Sequence, residues 1–158
     1  MGEAVMLITG GSRGIGAATV RLAARRNWRV AFSYRANEEA ATALVHQVEA
    51  EGGQALAIKA DVGNEADVLA LFEAVSSQFG GLDALVNNAG MVPLQGRLDR
   101  ATTARMEEVL RVNVLGSLLC AREAVNRMST LHGGKGGVIV NVSSTAVKAG
   151  SAGEYVDY

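Results

Sequence analysis

The chain has 158 residues with a formal net charge of −1, and 49% of its residues are hydrophobic while 20% are charged. This composition is typical of a globular protein with one core, and the near-zero charge gives no electrostatic basis for binding nucleic acid or an anionic membrane surface. Cys120 is the only cysteine, which excludes disulfide and zinc frameworks, and we expect it to be a buried small hydrophobe.

No apolar run approaches the roughly 20 residues that a membrane span needs, and the N-terminus lacks a signal-peptide profile. We therefore expect a cytoplasmic protein that does not bind membranes. No cluster of His, Cys and carboxylate residues has the spacing of metal ligands, so no metal site is predicted, and His46 and His132 are expected at the surface. No linker interrupts the chain, which predicts one domain over residues 1–158.

Short apolar segments alternate with helical segments along the chain. The predicted strands are 5–8, 29–34, 54–60, 82–86 and 138–142, and the predicted helices are 17–26, 37–51, 64–79 and about 102–128. Strands that alternate with helical connections predict an α/β fold with a doubly wound parallel sheet and helices on both faces. Such sheets bind ligands at the carboxyl ends of their strands, so the residues just after each strand are the candidates for function.

A glycine-rich segment, Gly-Gly-Ser-Arg-Gly-Ile-Gly at 10–16, joins the first strand to the first helix. Its spacing differs from the commoner G-x-G-x-x-G fingerprint, and no Lys-Ser/Thr follows as in a nucleoside-triphosphate loop. Glycines let a pyrophosphate approach the main chain, and the N–H groups of the first helical turn then bind the anion. A tight turn without a ligand is the alternative interpretation.

Polar or basic residues also follow the other strands. They are Arg35 after the second strand, Asp61-Val62 after the third, Asn87-Asn88-Ala89-Gly90 after the fourth and Ser143-Ser144-Thr145 after the fifth. Arg35 and Arg13 suit a doubly charged 2′-phosphate, since no carboxylate follows the second strand before Glu38. Each of these groups also has a purely structural interpretation. Arg13 and Arg35 would be solvated, Asp61 would accept hydrogen bonds in a turn, residues 87–90 would form an Asn-rich turn, and the serine pair would cap a turn.

The segments at 9–16 and 87–90, with the sequences Thr-Gly-Gly-Ser-Arg-Gly-Ile-Gly and Asn-Asn-Ala-Gly, resemble the short-chain dehydrogenase/reductase family. The resemblance implies a Rossmann-type sheet and NADP rather than NAD as the cofactor, with Asp61 at the adenine amino group and Val62 against the ring. The residues that it implies for cofactor binding are Gly10, Ser12, Arg13, Gly14, Ile15, Gly16, Arg35, Asp61, Val62, Asn88, Ala89 and Gly90.

The same resemblance implies an oxidoreductase that transfers a hydride between NADP and a small alcohol or carbonyl compound. It implies that Asn113 holds a backbone carbonyl and a water of a proton relay through a local helix distortion, where a hydrogen-bonded core Asn is the alternative. It further implies that Ser144 binds the substrate oxygen and that Tyr158 is the acid–base residue.

The family's catalytic signature is Tyr-x-x-x-Lys, and the sequence ends at Tyr158. We therefore expect a piece of a longer enzyme whose sheet is incomplete on the C-terminal side. Two other interpretations stay open. The chain could be a dinucleotide-binding module that has lost its catalytic activity, or an inactive fragment of a longer enzyme. Because family members usually pair through the long helix, a homodimer or homotetramer is expected, and the substrate cannot be named from these residues.

Overall fold

The computed structural model describes residues 4–94 and 96–150. Within them one parallel sheet has the strand order β3-β2-β1-β4-β5. The strands are β1 (Val5–Ile8), β2 (Arg29–Tyr34), β3 (Gln54–Lys59), β4 (Ala84–Asn87) and β5 (Val138–Asn141). The strand order reverses between β1 and β4, and a parallel sheet opens a ligand crevice at such a point. The predicted doubly wound parallel sheet is confirmed.

The helices are α1 (Gly14–Arg25), α2 (Glu38–Ala50), α3 (Glu65–Phe79), α4 (Thr103–Val109), α5 (Gly116–Met128) and α6 (Ala146–Ala149). A π-helical segment, Leu110–Leu115, joins α4 to α5, and short 3₁₀ turns lie at Leu98–Arg100 and Thr130–His132. The single helix predicted over 102–128 is therefore continuous but widened in its middle. In the described part of the chain, no helix is both long and apolar enough to cross a membrane.

Side chains alternate across the sheet and build a hydrophobic core on each face. On β1, Val5 and Leu7 pack with α3 and α5, whereas Ile8 packs with α1 and α2. The first core contains Val68, Leu71, Phe72, Leu119, Cys120 and Ala124, and the second contains Val20, Phe32, Leu44 and Val48. Helices therefore cover both faces, and the strand ends are left to form the rim of the crevice.

Side-chain caps define where two of the helices begin. Asn37 Oδ1 accepts a hydrogen bond from the Ala40 N–H at 2.9 Å, and Asn64 Oδ1 accepts from Ala66 at 2.9 Å and Asp67 at 3.3 Å. Asparagine favours this position because its oxygen satisfies N–H groups that have no partner in the first turn. The predicted starts of α2 and α3 are confirmed.

Cys120 is fully buried on α5, as predicted. Burial, with a smaller contribution from the Glu123 carboxylate, raises the pKa of its thiol to about 12. Because only the thiolate is a good nucleophile or metal ligand, Cys120 acts as a core residue. The two histidines, His46 and His132, are exposed, as predicted.

Candidate functional site

The carboxyl ends of β1, β2, β3 and β4 border a cleft of about 500 Å³. It is lined by every residue that the sequence predicted for cofactor binding, namely Gly10, Ser12, Arg13, Gly14, Ile15, Gly16, Arg35, Asp61, Val62, Asn88, Ala89 and Gly90. These residues come from separate strand ends and meet at one place in the fold. Ser33, Tyr34, Met91 and Val112, which the sequence analysis did not single out, also line the cleft.

Two glycines bring the β1–α1 loop into direct contact with the loop after β4. Gly10 has a φ of +65°, and a Cβ there would lie 3.0 Å from the Ala89 Cα. A Cβ on Gly16 would collide with the Gly10 carbonyl oxygen and would lie 2.6 Å from the Asn88 side-chain nitrogen. No larger residue fits either position without moving the backbone, so the close approach of the loops requires glycine.

The N-terminus of α1 faces the cleft without a side-chain cap. Its N-cap residue, Arg13, is extended, with φ −151° and ψ 169°, and makes no capping hydrogen bond. The first turn also carries no acidic residue. The N–H groups of a first helical turn, together with the positive end of the helix dipole, bind anions. This end of the cleft therefore fits the pyrophosphate of a dinucleotide.

A buried threonine joins the same two loops. Thr9 is 2% exposed, and its hydroxyl oxygen accepts hydrogen bonds from the N–H groups of Asn88 at 3.0 Å and Ala89 at 2.9 Å. In return the Asn88 side-chain amide donates to the carbonyls of Thr9 at 2.9 Å and Gly10 at 3.1 Å. These four hydrogen bonds add to those that the Thr9 N–H and hydroxyl donate to the Val86 carbonyl, and together they hold the ends of β1 and β4 in contact. The sequence analysis quoted Thr9 in its motif but gave it no role.

Ser33, at the end of β2, fixes the other side of the glycine loop. The Gly10 N–H donates to the Ser33 hydroxyl at 3.1 Å, and the Gly11 N–H donates to the Ser33 carbonyl at 2.8 Å. Ser33 is only 1% exposed. It lies within an apolar strand, and no sequence pattern distinguished it from a neutral core residue.

The basic end of the cleft contains a carboxylate that the sequence analysis did not expect. Arg35 lines the cleft, and its Nη1 donates to Glu108 Oε1 on α4 at 3.3 Å. The sequence analysis considered only the carboxylates that follow the second strand, and it did not find Glu108. A residue 73 positions away in the chain cannot be assigned to this place from local sequence.

Asp61, predicted to face adenine, forms an ion pair with Arg111 of the π-helical segment. Its Oδ2 accepts from both Nη1 and Nη2 of Arg111 at 3.1 Å, and its Oδ1 accepts from the Gly63 N–H at 2.9 Å. Arg111 also donates to both carboxylate oxygens of Glu108, and this hydrogen bonding, with the Asp61 contact, raises the pKa of Arg111 above its usual value. One acceptor position on Asp61 Oδ1 remains for a ligand.

A second cleft of about 650 Å³ adjoins the first, and both are lined by Ile15, Asn88, Ala89 and Gly90. Asn113 and Ser144 both line this second cleft. The Asn113 amide donates to the Met91 carbonyl at 2.9 Å and accepts from the Met91 N–H at 2.8 Å. The backbone-carbonyl contact and the helix distortion expected at Asn113 are both present, and its part in a proton relay stays a prediction.

Ser144 lies half-buried after β5, and Ser143 lies beside it in the same cleft. The Ser144 Oγ accepts from the Ala146 N–H at 3.2 Å, which is the turn-capping role that the sequence analysis gave as the alternative. Its hydroxyl proton can still be donated to an oxygen in the cleft. Tyr158, the predicted acid–base residue, lies outside the described residues.

The chain belongs to the short chain dehydrogenase family, whose model matches residues 4–156. It is 47% identical over 155 residues to the uncharacterized oxidoreductase YgfF of Escherichia coli, which covers 98% of this chain and 63% of that protein. It is 35% identical over 148 residues to the 3-oxoacyl-[acyl-carrier-protein] reductase FabG of Staphylococcus aureus, which covers 94% of this chain and 58% of that protein.

Solved structures share the Rossmann-type fold. A short-chain dehydrogenase/reductase from Serratia marcescens is similar with a TM-score of 0.91 and 35% identity, over 98% of this chain and 61% of that one. A short chain dehydrogenase from Burkholderia cenocepacia in complex with NADP is similar with a TM-score of 0.86 and 38% identity, over 95% and 59%. The chain therefore spans about 60% of the length of these relatives.

Replacing Thr9 with valine should destabilise the protein, because the change leaves the partly buried N–H groups of Asn88 and Ala89 without their acceptor. A buried donor left unsatisfied costs about 1–3 kcal/mol, so we expect a loss of about 2–5 kcal/mol in the free energy of unfolding. Urea unfolding followed by circular dichroism measures this loss.

Thr19→Val is the matched control. The Thr19 hydroxyl donates to the Ile15 carbonyl within α1 and accepts no buried N–H that the structure describes, so its loss should change stability by less than about 0.5 kcal/mol. Equal effects of the two substitutions would contradict the bridging role of Thr9.

Proposed function

We propose that this chain forms the cofactor-binding part of an oxidoreductase that uses NADP to interconvert a small alcohol and its carbonyl compound. The observation that carries the proposal is the convergence of the uncapped α1 N-terminus, Arg13 and Arg35 on one cleft. A dinucleotide phosphate presents a pyrophosphate and a 2′-phosphate, and these groups match the positive features of this cleft. The likeness to a dehydrogenase in complex with NADP supports the same choice.

In this proposal each part of the cleft binds one part of the cofactor. The glycine loop and the first turn of α1 hold the pyrophosphate, and Arg13 and Arg35 hold the 2′-phosphate. Asp61 accepts from the adenine amino group with its remaining acceptor position, and Val62 packs against the ring. Asn88, Ala89 and Gly90 lie along the wall shared by the two clefts, where the nicotinamide ribose would reach the substrate.

The second cleft supplies the groups that bind and protonate the substrate. The bound nicotinamide supplies or accepts the hydride. Ser144 donates its hydroxyl proton in a hydrogen bond to the substrate oxygen and stabilises the negative charge that develops there. Asn113 anchors the Met91 backbone and holds the π-helical segment in the position that orients a relay water. Tyr158 is proposed as the general acid or base.

The outer face of the α4–α5 region supports the proposed self-association. Its apolar residues Leu110, Val114, Leu118 and Val125 are 58%, 49%, 62% and 45% exposed and recur at helical spacing, and Val114 and Leu118 also border the second cleft. A contiguous exposed apolar stripe marks an interaction surface, and a second copy of the same helix is self-complementary to it about a two-fold axis. We therefore propose a homodimer or homotetramer built on this face.

Replacing Arg35 with alanine should weaken binding of NADPH and leave NADH nearly unchanged. Loss of hydrogen bonds to a charged group costs about 1.5–3 kcal/mol, which corresponds to roughly 10- to 150-fold in the NADPH dissociation constant. Titration by nicotinamide fluorescence with both cofactors measures the difference. Equal affinity of the unaltered protein for NADPH and NADH would contradict the proposed cofactor.

Replacing Ser144 with alanine should lower kcat by about 100- to 1000-fold, since it removes the donor to the substrate oxygen. Cofactor affinity should stay close to normal, and Ser143→Ala should have a much milder effect on kcat. Steady-state NADPH oxidation with a panel of small ketones separates the two serines. Full activity of Ser144→Ala would overturn its role, and a protein that binds NADPH but reduces no ketone would favour a binding module that has lost its chemistry.

Replacing Val125 with glutamate should shift the protein toward monomer, because a charge would be buried at the proposed interface. Leu131→Glu is the matched control, since Leu131 is 91% exposed on a turn away from the apolar stripe. Sedimentation equilibrium measures both variants. An unaltered protein that is already monomeric would contradict the proposed self-association.

A further inference from the structure

The charged residues at the basic end of the cleft form a connected chain. Arg35 contacts Glu108 at 3.3 Å, Glu108 contacts Arg111 at 2.9 Å, and Arg111 contacts Asp61 at 3.1 Å. Arg35 and Asp61 line the cleft, whereas Glu108 and Arg111 hold them from α4 and the π-helical segment. Arg35 and Asp61, which would face the adenosine part of the proposed cofactor, are therefore linked through the Glu108 carboxylate and the Arg111 guanidinium.

The Asp61–Arg111 contact is built into the backbone. A Cβ on Gly63 would collide with the Arg111 Nη1 and lie 2.9 Å from its Cζ, so the guanidinium occupies the space above this glycine. The Arg111 side chain is 33% exposed and the Asp61 side chain 26% exposed. Partial burial and bidentate hydrogen bonding fix Arg111 more firmly than an ordinary surface arginine.

Glu108 is shared unequally between its two cations. Arg111 donates to both of its oxygens, with Nε to Oε2 and Nη2 to Oε1 each at 3.0 Å. Arg35 makes one contact at 3.3 Å, and its side chain is 61% exposed. Exposed ion pairs contribute little stability, so Arg35 is the member that a ligand can detach from the chain.

We propose that Glu108 competes with the cofactor 2′-phosphate for Arg35, and that Arg111 limits this competition by holding Glu108, so that the two residues set the preference between NADPH and NADH. The inference rests on the proposed function. Both residues act through Arg35 and are positioning residues. The 2′-phosphate of NADPH must share Arg35 with the Glu108 carboxylate. NADH has no 2′-phosphate, so its binding does not depend on Arg35 in this way.

Glu108 and Arg111 should therefore have opposite effects on NADPH. Without the Glu108 charge, Arg35 is released and a negative group near the phosphate disappears, so NADPH binds more tightly. Without Arg111, Glu108 turns fully to Arg35 and the Asp61 charge loses its counter-ion, so NADPH binds more weakly. A network with a purely structural role would weaken both cofactors in both variants.

The experiment compares dissociation constants for NADPH and NADH in the intact protein and in Glu108→Gln and Arg111→Gln, by nicotinamide fluorescence. From the size of screened surface electrostatics, we expect Glu108→Gln to tighten NADPH by about 3- to 10-fold and Arg111→Gln to weaken it by a similar factor. NADH should change by less than about 2-fold in Glu108→Gln, whereas Arg111→Gln should weaken NADH less than NADPH, since Asp61 loses its ion-pair partner and would contact the adenine of both cofactors. Glu108 is a partly exposed residue and glutamine has its shape, so Glu108→Gln carries the test alone if Arg111→Gln does not fold.

Two controls separate this mechanism from others. In an Arg35→Gln background, Glu108→Gln should no longer tighten NADPH, since no guanidinium remains to be released. Arg25→Gln removes an ion pair of similar exposure, in which Arg25 contacts Glu51 at 2.8 Å, and should leave both cofactors unchanged. Weaker or unchanged NADPH binding in Glu108→Gln would overturn the inference while the proposed function stands. An unaltered protein that binds neither cofactor would refute the proposed function, and the inference with it.

Discussion

The Thr9 hydroxyl joins the ends of β1 and β4, and the geometry of the cleft depends on that contact. Because β4 ends at Asn87, the next two N–H groups have no strand partner, and buried donors of this kind must be satisfied. Thr9 accepts from both, which leaves the Asn88 side chain free to bind the carbonyls at the start of the glycine loop. These contacts hold the glycine loop against the loop after β4, and α1 begins with its N-terminus toward the crevice.

Most of the fold could be predicted from local patterns in the sequence. Short apolar runs gave the strands, and the caps Asn37 and Asn64 gave the helix starts, because each signal is contained within a few neighbouring residues. The alternation of these elements then leaves few topologies for a parallel sheet. The π-helical segment is different, since no glycine or proline marks Leu110–Leu115 and its composition is that of ordinary helix. Only the resemblance to a family suggested a distortion around Asn113.

The sequence indicated those residues of the candidate site that directly follow a strand. It did not indicate those that reach the site through packing between distant segments. Residues just after strands converge because parallel strands share one carboxyl edge, so the residues predicted to bind the cofactor lie in one cleft. Glu108 and Arg111 lie on a helical stretch rich in charge, and such charges are usually solvated. Their contacts with Arg35 and Asp61 span 73 and 50 positions of the chain and exist only because α4 and the π-helical segment lie beside the ends of β2 and β3.

Different interactions stabilise the two ends of the cleft, the one at the glycine loop and the one at Arg35. We therefore expect substitutions at the two ends to have different effects. Around the glycine loop, Thr9 and Ser33 are at most 2% exposed, and each of their hydrogen bonds satisfies a group that would be costly to leave unpaired. Arg35 itself is held by one exposed ion pair with Glu108, which contributes little to folding and is screened by salt. Changes at the buried end should therefore alter whether the cleft forms at all, whereas changes at the exposed Arg35–Glu108 pair should, under the proposed function, alter which dinucleotide the cleft favours at little cost to the fold. The proposed selection between cofactors would for this reason depend on residues such as Glu108, which lies on α4 and acts through its contact with Arg35.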